Sequence, residues 1–163
     1  MVTCERQHIL SLSYGKDSLA CLGAIEQLGW PLDRIVHAEV WATDTIPADL
    51  PPMVEFKAKA DKIIRERWGI EVEHVFATSR DGTKRTYNGR FYAPYNHTTE
   101  SCIIADKTKK WYGFPSRAKL WCNSQLKAAA LDKGKRRCIQ YLGIAADEPN
   151  RFHNLSDTKN PPL

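Results

Sequence analysis

Apolar residues first cluster in His8-Ile9-Leu10-Ser11-Leu12-Ser13, a run that predicts a short buried strand stopped by the turn pair Tyr14-Gly15. Over residues 16–28, Leu19, Leu22, Ile25 and Leu28 recur at helical spacing, and Gly29 supplies the stop. Residues 34–42 read as a second strand. Thr43-Asp44-Thr45 follows, then a loop carrying Pro47, Pro51 and Pro52. Residues 53–68 are again helical, with Phe56, Ala60, Ile63 and Ile64 on one side and Gly69 at the end. Residues 71–77 alternate polar and apolar, which suits a strand near a sheet edge. Residues 78–115 have no clean period and read as a long irregular insert, with a short helix around 102–107. Loops of that length in compact domains are usually functional or mobile. Residues 116–131 predict a helix with Leu120, Ala128 and Leu131 among its apolar positions and Ser116 as cap. After the basic turn 133–137, residues 138–144 read as a fourth strand.

Alternating strand and helix implies right-handed crossovers and an α/β fold with a parallel, doubly wound sheet. The expected organisation is one domain over 1–151, followed by an extended tail, 152–163, that resembles an unfinished connection to a further C-terminal region. In such sheets ligands bind at the carboxyl ends of strands where strand order reverses. The informative residues are therefore those after the first, second and fourth strands.

Composition narrows this little. Hydrophobic residues make up 42% and charged residues 26%, which excludes a collagen-like or wholly disordered chain. No run of about 18 apolar residues is present to span a membrane, and residues 1–6 lack the apolar core of a signal peptide. The expectation is a cytoplasmic protein with no membrane partner. Twenty-four basic against nineteen acidic residues give a net charge of +5. This favours anionic partners, although a solvated basic surface carries the same charge. Five cysteines, an odd number with no CxxC pair, point to free thiols and to neither zinc nor an iron–sulfur cluster.

Candidate chemistry concentrates in Ser11-Leu12-Ser13-Tyr14-Gly15-Lys16-Asp17-Ser18, between the first strand and first helix. A glycine allows close approach of a phosphate to the backbone, the free N–H groups and dipole of the helix start favour an anion, Ser13 and Ser18 offer hydroxyls, and Lys16 offers a mobile charge. A capped helix with a solvated lysine explains one serine but not the whole string at a strand end. The segment is not a Walker A loop, because Leu10 and Asp17 stand where Gly and Ser/Thr belong. Nor is it a GxGxxG fingerprint.

The segment resembles the SGGKDS pyrophosphate (PP) loop of the adenine nucleotide α-hydrolase superfamily, with Tyr14 in place of the first Gly of the pair. Trp121-Cys122-Asn123-Ser124-Gln125-Leu126-Lys127 is similar to the WCxxxxK segment of the phosphoadenosine phosphosulfate (PAPS) reductase-like branch. Residues 141–151, with Gly143-Ile144, Asp147-Glu148 and Arg151, look like its G-I-x-x-D-E-x-x-R segment, and Thr43-Asp44-Thr45 looks like its turn near the adenosine. The resemblance implies a Rossmann-like sheet of strand order about 3-2-1-4. It implies binding of ATP, with Mg²⁺, or of a sulfated adenosine nucleotide. The implied enzyme acts at the α-phosphate of ATP, by pyrophosphate release or adenylyl transfer, in sulfur metabolism or thiolation.

The resemblance casts Lys16, Asp17, Lys127 and Arg151 as catalytic. Ser11, Ser13, Tyr14, Gly15, Lys16, Asp17, Ser18, Asp44, Thr45 and Gly143 become nucleotide-binding residues, with Lys127 and Arg151 gripping an anion. Without the resemblance, Asp17 is equally a first-turn carboxylate, Asp44 a turn former, and Lys127 and Arg151 solvated charges. Cys122 is either a reactive thiol or a buried small hydrophobe. A PAPS- or APS-binding sulfotransferase or reductase is the alternative enzyme, but the E-C-G-[IL]-H motif of true PAPS reductases is absent, which counts against autonomous reduction. The second class is a non-catalytic module for nucleic acid or protein. Lys84, Arg85, Tyr87, Arg90, Phe91, Tyr92 and Tyr95 interleave cations and aromatics, and Lys107, Lys109, Lys110 and Arg117 extend them, so region 84–119 suits nucleic acid. His8, His37 and His74 read as structural and His97 as the one candidate functional histidine. A homo-oligomer is compatible with all of these readings.

Overall fold

The computed structural model describes residues 6–92, 113–115, 120–132 and 138–145. Its elements are β1 (Gln7–Ser11), α1 (Lys16–Leu28), β2 (Arg34–Ala38), α2 (Pro51–Trp68), β3 (Val72–Val75), α3 (Tyr87–Phe91), a π-helical segment π1 (Asn123–Ala128), α4 (Ala129–Leu131) and β4 (Cys138–Tyr141). The expected helix at 102–107, the cap Ser116, His97, Arg151 and the tail 152–163 lie outside the described residues.

The four strands form one parallel sheet in the order β3-β2-β1-β4, the order of a Rossmann-like α/β fold. Leu10 of β1 pairs with Ile35 of β2 on one side and with Tyr141 of β4 on the other. Leu10 and Ile35 are fully buried, as expected for strands flanked on both edges. Strand order reverses at β1, so its carboxyl end is the switch point.

Local signals explain the helix limits. Gly29 takes a left-handed φ of 62°, its N–H donates to the Glu26 carbonyl, and the Trp30 N–H donates to the Ile25 carbonyl, a Schellman stop for α1. Helix α2 starts earlier than the pattern predicts, on Pro51-Pro52, because proline is tolerated in a first turn whose N–H groups have no helical partner.

The second strand is shorter than the apolar run suggests. Beyond Ala38, the Ala48 N–H donates to the Val40 carbonyl and the Ala42 N–H to the Ile46 carbonyl, both at 2.9 Å. The loop thus takes those backbone groups. The apolar side of α2 is also thinner than predicted. Ile64 is buried but Phe56 and Ile63 are exposed, and Lys57 is buried beside the carboxylate of Asp49.

The chain divides into two compact units. Among the described residues, the first holds 6–37, 61–73 and 138–145, with a core of Ile9, Leu10, Leu12, Leu22, Ile25, Ile35, Val36 and Ile64. The second holds 38–60, 74–92, 113–115 and 120–132, with Ala77, Trp121, Leu126 and Ala130 buried. Among the described residues no helix is long and apolar enough to cross a membrane.

The expected helix over 116–131 is wound differently. The Ala129 N–H reaches back five residues to the Ser124 carbonyl. In α winding, five residues turn about 500°, leaving Trp121 some 140° from Leu126. The i→i+5 bonding of a π-helix brings residues five apart close to one face, so Trp121, Leu126 and Ala130 are buried together while Leu120 is exposed.

Across the β2–β3 edge, Arg34 forms a two-point ion pair with Glu73, Nε to Oε1 at 2.6 Å and Nη2 to Oε2 at 2.7 Å. The guanidinium, chiefly through these hydrogen bonds, holds the Glu73 carboxyl below its ordinary range. A carboxyl depressed in the folded state stabilises the fold above its unfolded pKa of about 4.3 and loses that contribution as pH falls through the folded value. The pair is partly exposed, so Glu73→Gln should cost about 0.5–1 kcal/mol at pH 7. In denaturant melts the gap between wild type and variant should close as pH falls below about 4.

Candidate functional site

Strand β1 ends at Ser11 and α1 begins at Lys16, so the turn between them comprises four residues, Leu12 to Gly15. Leu12 still follows β2, its N–H donating to the Val36 carbonyl at 2.9 Å. The reversal is made at Tyr14, which has a φ of 59° and is the one non-glycine residue with a left-handed backbone among those described. Such a conformation is uncommon in a residue with a Cβ and persists only where the surroundings over-determine it. Tyr14 is 4% exposed. Its hydroxyl donates to the Asp61 carboxylate of α2, and its ring meets the edge of His37 at 4.7 Å. His37, itself buried, contacts the Leu12 carbonyl through Nδ1 at 2.8 Å. The side chain therefore anchors the turn from behind.

Ser18 braces the same turn from the front of the helix. Its hydroxyl donates to the Gly15 carbonyl at 3.0 Å and accepts the Ser13 N–H at 3.2 Å, with Ser13 Oγ 3.0 Å away. The sequence suggests Ser18 as a direct ligand donor; in the structure it is buried and its proton is committed to the backbone. Ser13, Gly15 and Lys16 are exposed and Asp17 is half-buried. Gly15, the N-cap of α1, has no side chain with which to cap the first turn. The first backbone bond into the helix is Leu19 N–H to Gly15 carbonyl, 3.1 Å. The N–H groups before it have no intrahelical acceptor, and the helix dipole adds partial positive charge.

The two glycines of the candidate set serve different ends. Gly15 is extended, with φ −77° and ψ 161°, and a Cβ there would meet Ser13 Oγ at 3.4 Å, an ordinary contact. Among the described residues nothing requires glycine at that position. A Cβ on Gly143, just after β4, would lie 2.4 Å from the Asp17 carbonyl oxygen and 2.7 Å from the Ser18 nitrogen. Gly143 is thus where the end of β4 packs against the first turn of α1. Ser11, named as a binding residue, accepts a hydrogen bond from Gln140 of β4 and ties β1 to β4 immediately below the turn.

The structure therefore gathers Ser11, Ser13, Tyr14, Gly15, Lys16, Asp17, Ser18 and Gly143 in the first unit. Asp44, Thr45, Cys122 and Lys127 belong to the second unit. There, the Asp44 carbonyl accepts from Lys84 Nζ at 3.0 Å, and Thr43 Oγ1 accepts the Ile46 N–H at 3.1 Å, so Thr43-Asp44-Thr45 is a built turn. Lys127 is exposed on π1, and Cys122 is half-buried at its start. Trp121 Nε1 donates to the Gly113 carbonyl at 3.2 Å, and Trp121 packs on Tyr87 with ring centroids 5.0 Å apart. π-wound segments inside helices often mark functional positions, and this one falls on the WCxxxxK resemblance.

Asp61, Gln140 and the anchoring part of His37 were not legible in the sequence. Asp61 sits on a helix face that periodicity assigns to solvent, and only the fold brings it to Tyr14. No protein-family model, curated protein or solved structure matches this chain.

Two substitution sets test this account by urea denaturation. Gly143→Ala should destabilise the protein by about 1–3 kcal/mol, because backbone atoms cannot yield to the added methyl, whereas Gly15→Ala should change stability by less than about 0.5 kcal/mol. Tyr14→Phe should cost about 1–3 kcal/mol through loss of the hydrogen bond from the buried Tyr14 hydroxyl to the Asp61 carboxylate.

Proposed function

We propose that the turn at residues 13–18 binds the phosphates of an adenine nucleotide, ATP or a sulfated adenosine nucleotide, as the resemblance to PAPS reductase-like proteins implies. The observation that supports this most directly is that α1 starts on a glycine N-cap, which offers no capping side chain, beside the switch point of a 3-2-1-4 sheet. The exposed backbone at Gly15 and the Lys16 ammonium would receive the anion while Tyr14, Ser18 and Gly143 hold the turn in shape. Preorganised N–H donors stabilise charge without reorganising at the moment of binding or reaction.

With ATP, the reaction class is attack at the α-phosphate with release of pyrophosphate. Lys16 would neutralise charge on the departing phosphates. Asp17 is the one carboxylate within the turn, a donor set that suits Mg²⁺ carried in with a nucleotide, since Mg²⁺ is commonly held by one or two carboxylates plus phosphates. The ion would supply charge neutralisation at the phosphate oxygens. Lys127 and Arg151 are proposed for the acceptor or a distal anion. A cytoplasmic role in sulfur metabolism or thiolation follows from the same resemblance.

Thermal unfolding with ATP, AMP and phosphoadenosine compounds tests the proposal. A ligand at a hundredfold excess over its Kd should stabilise the protein by about 2.7 kcal/mol. Lys16→Ala should weaken the protecting ligand at least tenfold, about 1.4 kcal/mol. No shift in Tm with any of these nucleotides would overturn the assignment.

A further inference from the structure

Residue 14 is held in a backbone conformation that its own Cβ disfavours. Its φ of 59° lies in the left-handed region, where a residue other than glycine stays only if its surroundings fix it there. Two side chains of the same unit meet Tyr14 from behind the turn. His37 faces the ring, with centroids 4.7 Å apart and planes at 75°. Asp61, half-buried, accepts the hydroxyl through Oδ1. A phenylalanine would keep the ring contact, whereas the hydrogen bond fixes the far end of the side chain. Asp61 stands within the 18-residue helix α2, a firm mount for an acceptor. Hydrogen bonds to an ionised acceptor are also about twice as strong as neutral ones.

The conformation at residue 14 decides where the rest of the turn lies. Helix α1 is fixed by its own core residues, Leu22 and Ile25, and by the contact of Gly143 with its first turn. A return of residue 14 to negative φ is therefore taken up by Ser13 and Gly15, not by the helix. Those two residues lie directly before the first-turn N–H groups of α1, which have no intrahelical acceptor. One anion can engage the turn and the helix start together only while the two keep their present register.

We propose that Asp61 is a positioning residue for anion binding at residues 13–18. By holding the Tyr14 hydroxyl it keeps residue 14 left-handed, and so keeps the turn aligned with the start of α1. This inference rests on the phosphate-binding reading of the turn. It adds that the affinity of the turn is set in part by a carboxylate on α2, distant in sequence and engaged behind the turn. A glycine at residue 14 would need no such support.

The test is a double-mutant cycle on the whole protein, titrated with inorganic pyrophosphate and followed by ¹⁵N amide shifts at Lys16 and Asp17. Tyr14→Phe and Asp61→Ala should each weaken pyrophosphate about tenfold, as expected if the competent turn falls to about a tenth of the population. The double variant should be no weaker than either single one, because both remove the same contact. The cycle thereby separates this hydrogen bond from any other contact of the two side chains. Asp61→Asn keeps a carbonyl acceptor and should bind within about threefold of wild type. Tyr14→Phe keeps the ring and carries the test should Asp61→Ala not fold. In the weakened variants the one-bond Cα–Hα coupling of residue 14, which reports the sign of φ, should move toward its negative-φ value. Unchanged pyrophosphate affinity in both single variants, weakening that multiplies in the double variant, or an unmoved coupling would overturn the role of Asp61 and leave the phosphate reading standing. Absence of saturable shifts in the wild type would overturn the phosphate reading and this inference together.

Discussion

The left-handed backbone at Tyr14 is the constraint from which the candidate site follows. A strand that continued in register past Ser11 would carry the chain away from the start of α1. One residue with positive φ turns it back within four positions. Glycine would make this turn without steric cost. Here a tyrosine makes it, and the cost is offset by burial of the ring, an edge contact with His37 and a hydrogen bond to Asp61. The same side chain thereby couples β1, β2 and α2. Tyrosine at this position is therefore compatible with the turn's left-handed backbone, because the surrounding unit supplies the energy that glycine would have saved.

The opposite side of the turn is closed by an absence of atoms. Gly143 allows the end of β4 to touch the peptide between Asp17 and Ser18, where any side chain would collide with backbone. Ser18 then spends its hydroxyl inside the turn. These contacts leave the front of the turn to Ser13, Gly15 and Lys16, all exposed. Within the turn the Ser13 and Gly15 N–H groups are taken by serine hydroxyls, and the first-turn N–H groups of α1 that follow have no intrahelical acceptor.

Much of the architecture was legible from periodicity. The strand–helix alternation predicted a parallel sheet, and the resemblance implied its 3-2-1-4 order, which the structure has. Errors fell where a backbone partner rather than a side chain decided the outcome. Val40 and Trp41 have the apolar character of a strand, yet their stretch pairs with the loop at 46–48. The helix over 116–131 was readable as helical, but its π winding was not. That winding depends on which side chains must share a buried face, Trp121 with Leu126, and a 3.6-residue template does not contain it.

The sequence by itself determined the class of fold, the placement of a Gly-Lys-Asp-Ser string at a strand-to-helix junction, and an excess of positive charge, because these depend on residues near one another in the chain. The tertiary structure alone decided which of those residues face solvent. Ser18 turned inward, Gly143 became a packing contact, and Asp61 and Gln140 entered as supports because the fold brought distant positions within bonding distance. Hydrogen-bond partners separated by tens of residues leave no periodic trace, so their roles emerge only once the backbone has closed around them.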